Sequence, residues 1–193
     1  MSWIEEVLIL AGVLLDVFAA TEGQGAMVAK VNKKQLTGIC FLMAGCQLAA
    51  LLGGYALARL CYRLTAHPAE QLIGGIIACA IFLLLGIRLM AKAMHRDTVL
   101  ERLTQKLPMG YFVRLSGQTA VFMVLAGISF GFLQTNLWAL IGMILILSVV
   151  VIIGGMYAGY HFGLEQRRAA YVIGAVLLLL AAADVVIRCV IFR

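Results

Sequence analysis

Leu137-Trp-Ala-Leu-Ile-Gly-Met-Ile-Leu-Ile-Leu-Ser-Val-Val-Val-Ile-Ile-Gly-Gly-Met-Tyr-Ala-Gly-Tyr-His-Phe162 contains no Asp, Glu, Lys or Arg. Wound as a helix at about 1.5 Å per residue, such a run crosses the roughly 30 Å of hydrocarbon in a bilayer. Comparable apolar segments lie at about 7–28, 37–61, 71–91, 116–134 and 169–191, which makes six spans. The strands of a membrane barrel alternate in polarity, whereas Ile76 to Leu85 and Val176 to Ala183 are apolar without a break, so the spans are helices. The expected fold class is an all-α integral membrane protein with six transmembrane helices.

Composition points the same way. The chain is 64% hydrophobic and 12% charged, far from the balance of a soluble domain. Six spans of roughly 20 residues use up most of the chain, so 1–193 reads as a single membrane domain whose function lies within the bilayer. The first residues, Met1-Ser-Trp-Ile-Glu-Glu, lack the basic start of a signal peptide, and the first span is expected to stay in place. Cys40, Cys46, Cys61, Cys79 and Cys189 sit in or beside apolar runs without metal-ligand spacing, as small buried hydrophobes do. His67, His95 and His161 lie at loop boundaries without companions.

The net charge of +6 is carried by basic residues scattered through short loops. That pattern sets topology and offers no surface for nucleic acid. With the N-terminus outside, the inner side receives eleven basic residues, among them Lys30, Lys33, Lys34, Arg88, Lys92, Arg167 and Arg168. The outer side receives only Arg59, Arg63, Arg188 and Arg193. Both termini are therefore expected on the non-cytoplasmic face of a bacterial inner membrane, with the polar stretch Lys92 to Gly110 inside and Gln134-Thr135-Asn136 as an outer turn.

An internal repeat organises the spans. Ile73-Gly74 followed by Arg88 returns 100 residues later as Ile173-Gly174 followed by Arg188, and Gly53-Gly54 returns 101 residues later as Gly154-Gly155. Ala20 and Gly25 correspond to Ala126 and Gly131 at an offset of 106. A unit of three spans enters the membrane from opposite sides in its two copies. The expected architecture is two inverted repeats, about 1–92 and 111–193, joined by a cytoplasmic loop at about 93–110, with a site near the midplane between them.

Asp16 stands midway along the first span, where a carboxylate is costly unless it faces a polar interior. Ala19, Ala20, Gly23 and Gly25 follow it and suggest close helix approach or a locally unwound segment, whose freed carbonyls would join Asp16, together with Thr21, around a hard cation. Glu22 lies about 240° further round an ideal helix from Asp16; a solvated acid at the inner end of the span is the expectation, and a ligand role the alternative. Gln47, at membrane depth, is either interhelical glue or a ligand. Asp184 and Arg188, four residues apart with the acid first, are expected to form a structural ion pair. Arg88 reads as an anchor reaching the inner interface. The glycines around Gly154 and Gly159 read as packing surfaces.

These residues resemble the small six-helix manganese efflux pumps of the lysine exporter superfamily. The resemblance is carried by Asp16-Val-Phe-Ala-Ala with Gly25, by Gln47 with Gly54, by Leu85-Gly86-Ile87-Arg88 and by Phe132-Leu-Gln-Thr-Asn136, and it covers the full chain. It implies secondary export of a divalent cation such as manganese, with Asp16 as its metal ligand. Where that family carries a second acid in the fourth span, this chain has Phe122. Phe122 is expected to face the same inter-repeat region as Asp16, and the lost carboxylate predicts weak manganese binding.

Two alternatives remain open at this level: a transport-degenerate membrane subunit that scaffolds or regulates a partner, and an exporter of a small amino-acid-like substrate. No nucleophile–base pair suggests an enzyme. No cofactor is expected beyond a transported cation. The expected partners are the lipid bilayer and that cation, with a homo-oligomer or a membrane protein partner left open.

Overall fold

The computed structural model describes residues 3–27, 33–64, 70–94, 109–133, 135–163 and 165–191. They form six helices: α1 (Trp3–Gly25), α2 (Lys33–Leu64), α3 (Glu70–Met94), α4 (Met109–Phe132), α5 (Leu137–Phe162) and α6 (Glu165–Ile191). Each expected span falls on one of them, and most helices run past the apolar limits into flanking polar residues, because a hydrogen-bonded backbone continues cheaply into the interface. Most of the 93–110 loop, from 95 to 108, lies outside the described residues, as do His67, His95 and Gln134.

Helices α2 to α6 are each long and apolar enough to cross a membrane. Helix α1 differs, with Glu5, Glu6, Asp16 and Glu22 along its 23 residues. It can carry these charges because it packs on α5 and α6 and also meets α4, so that Glu6, Asp16 and Glu22 are all buried against protein. The chain is thus a multi-pass membrane protein with its most acidic helix inside the bundle.

The contacts follow the repeat. Exchanging the first three helices for the last three turns the packing of α2 on α4 into that of α5 on α1, and the packing of α3 on α4 into that of α6 on α1. All four contacts occur, together with α3 on α6 and α2 on α5, which the exchange leaves unchanged.

The α2–α4 and α1–α5 seams are built on glycine. A side chain at Gly54 would collide with the Val124 carbonyl, and one at Gly127 with the Leu51 carbonyl, so α2 and α4 meet backbone to backbone. Gly155 lies against Thr21 and the Phe18 carbonyl, and Gly159 against the Glu22 carbonyl, which joins α5 to α1 in the same way. Gly25 meets the Met156 backbone and Gly131 meets Ala58, so the positions paired in sequence also perform equivalent packing. The alternative that α1 unwinds is not realised: it is continuous α-helix through Gly25, since its small residues are used for close approach to α5.

The α4–α5 turn is pinned to α2. Asn136 caps α5 by accepting from the Trp138 amide at 3.2 Å. The Tyr55 hydroxyl donates to the Thr135 carbonyl at 3.0 Å, and Arg59 donates to that hydroxyl at 2.8 Å. At its other end α5 stops at Gly163, whose φ of 70° suits glycine.

Candidate functional site

Asp16 is 4% exposed and sits at the centre of a charge cluster. Its Oδ1 accepts from Lys92 Nζ at 2.6 Å and its Oδ2 from an Arg88 guanidinium nitrogen at 3.1 Å. Arg88 and Lys92 are four residues apart on α3, hence on one face, and on their own they would repel. The shared carboxylate offsets that repulsion and leaves the cluster with one negative and two positive groups. The backbones of α1 and α3 are not among the closely packed pairs, although α6 packs on both. Two long basic side chains therefore span the gap. Arg88 is not an interfacial anchor as expected: the buried acid offers a charge-assisted bond that the interface cannot match.

An aromatic ring lies beside each cation. The Arg88 guanidinium carbon stands 3.4 Å from the centre of the Phe122 ring, and Lys92 Nζ stands 5.6 Å from that of Tyr171. Phe122 therefore reaches the Asp16 region through Arg88. Where a second carboxylate was sought, the ring face holds a cation by its quadrupole and leaves that charge unneutralised.

The other candidate residues are placed elsewhere. Glu22 is fully buried, against the expectation of a solvated inner-end acid, because α1 lies inside the bundle. Its carboxylate faces the first turn of α6, near the Gln166 and Arg167 amides and the Arg167 guanidinium, though neither oxygen is in strict hydrogen-bond geometry. Thr21 donates to the carbonyls of Val17 and Phe18, both at 2.9 Å, and packs on Gly155, which commits it to its own helix and the α1–α5 seam. Asp184 is half-buried on α6, while the Arg188 side chain lies outside the described residues, and their expected pair with it.

Gln47 is fully buried. Its Oε1 accepts from Ser148 Oγ at 2.6 Å, and its Nε2 has no partner. The two residues are 101 apart, the offset that relates Gly54 to Gly155, so equivalent positions of α2 and α5 touch each other. Half a turn of the amide would present the oxygen in place of the nitrogen. Among the described residues no three His, Cys, Asp or Glu side chains gather to hold a metal.

Sequence reasoning missed Lys92 and Ser148. Both were within reach: Lys92 follows Arg88 by one helical turn, and Ser148 is what the repeat offset returns from Gln47.

Among known proteins, residues 30–186 match the family model described as "Putative manganese efflux pump". Two curated relatives, each named as such a pump, MntP, come from Bifidobacterium adolescentis and Bifidobacterium longum subsp. infantis. The first is 25% identical over 177 residues, covering 92% of both chains. The second is 24% identical over 186 residues, covering 96% of this chain and 94% of the relative. No solved structure matches. With the family model spanning most of its length, this chain belongs to the MntP family of manganese efflux pumps.

Proposed function

We propose that this protein exports manganese(II) across the bacterial plasma membrane as a secondary transporter, with Asp16 as the carboxylate that meets the cargo. The observation that carries this reading is a buried acid held midway along the helix that lies inside the bundle; family membership supplies the substrate class. It gives no support to a transport-degenerate subunit or to an exporter of amino-acid-like molecules.

The chemistry is that of a hard cation. Manganese(II) takes oxygen ligands in roughly octahedral geometry. Asp16 supplies the charge, while Gln47, bonded to Ser148 where α2 meets α5, is a second polar position at membrane depth. Water fills the remaining positions, as is common for small divalent ions that dehydrate reluctantly. The two halves, about 1–92 and 111–193, act as inverted repeats that rock around this region. Both termini face outward, as the basic residues direct.

The test is cellular manganese content in a bacterium lacking its own exporter and grown in excess manganese. The wild-type chain lowers the content several-fold, and Asp16→Asn at equal membrane abundance does not. If correctly inserted wild-type protein leaves the manganese content unchanged, the reading fails.

A further inference from the structure

We propose that Arg88 and Lys92 are tethered competitors of the cargo: they hold the Asp16 carboxylate while no divalent cation is bound, and their return expels the cation. This rests on the export reading and assigns the residues that set the affinity for the cargo and its release.

Three observations carry it. One carboxylate is shared by two cations, one on each oxygen, so an incoming metal ion finds its charged ligand already taken. The Asp16 side chain is only 6% exposed, against 29% and 37% for those of Arg88 and Lys92, so the tethers are the more accessible members of the cluster. Each tether also has an aromatic ring at hand, Phe122 for Arg88 and, shared with Arg167, Tyr171 for Lys92. A ring attracts a cation without a formal charge of its own, so each tether keeps a partner after losing the carboxylate. Standing four residues apart on one face of α3, both tethers are carried together by any movement of that helix.

The experiment uses the full chain in proteoliposomes, with manganese(II) transport and direct manganese(II) binding as readouts. Arg88→Gln and Lys92→Gln each remove one competitor, so KM and Kd for manganese fall by about tenfold, equivalent to about 1.4 kcal/mol, while kcat falls because release loses its driving group. Arg88→Lys keeps the charge but loses the flat contact of the guanidinium with Phe122, so its KM and Kd fall less than those of Arg88→Gln. Phe122→Leu and Tyr171→Leu change no charge but remove the resting place of a tether, so KM rises. A purely structural role would not give opposite signs in these two sets. Unchanged or raised KM and Kd in both Gln variants overturns the proposal. Should those variants fail to insert, an unchanged or lowered KM in both Leu variants overturns it. Wild-type protein that neither binds nor moves a divalent ion refutes the export reading and this inference together; wild-type transport with unshifted constants refutes the inference alone.

Discussion

Asp16 shows how one buried carboxylate compensates two neighbouring cations. Bonded to Lys92 and Arg88, it compensates two cations that stand on one face of α3. Asp16→Asn keeps the shape but leaves them uncompensated, which costs on the order of 1–3 kcal/mol, the scale for stranding charged groups that are only partly buried. Thermal unfolding in detergent should show the loss, and adding Arg88→Gln to Asp16→Asn should recover part of it, because the second change removes the stranded charge. A double variant less stable than either single one would mean that Arg88 contributes more by packing on Phe122 than by charge. Phe122→Asp offers Arg88 an acid of its own and frees Asp16, so manganese should bind more tightly than to the wild type in a direct titration. Weaker binding would show that the ring's hold on Arg88 matters more than the charge it lacks.

At the scale of the helix, glycines divide into those that set a seam and those that do not. Gly127 and Gly159 face carbonyl oxygens of the opposite helix, so Gly127→Val and Gly159→Val must push backbones apart, at a cost of about 1–3 kcal/mol or more. Gly45 and Gly142 meet nothing within 4 Å, and Gly45→Ala or Gly142→Ala should stabilise by about 0.5–1 kcal/mol through lower unfolded-state entropy and better helix propensity. Melting temperatures of the four variants check the division, and equal losses in all four would contradict it. At the α4–α5 turn, Tyr55→Phe removes the hydroxyl that joins Thr135 to Arg59, with an expected loss of about 1 kcal/mol. Periodicity and length made the helices themselves legible. It could not separate Gly54 and Gly155, which face backbone, from Gly53 and Gly154, which do not, because adjacent residues on a helix differ by only about 100° in direction.

For the whole molecule, the basic residues predict both termini outside and the 93–110 loop inside. A cysteine introduced by Thr98→Cys should resist a membrane-impermeant reagent in intact cells and react in inverted vesicles; ready labelling in intact cells would reverse the orientation. What the sequence alone determined is the membrane fold, since a helix of apolar residues must cross the bilayer wherever it is placed, and the likeness of the two halves, since offsets of 100 to 106 recur whatever the packing. It also marked Asp16 and Gln47, because polar groups at membrane depth stand out against an apolar background. Only the tertiary structure decided what these residues face. Arg88 lies 72 residues from Asp16 and Ser148 lies 101 from Gln47. Helix direction says which residues share a face, but the partner of that face is chosen by where glycine lets backbones touch. The same packing buried Glu22 against α6 and set Phe122 under a cation, where sequence reading had sought a solvated acid and an open site.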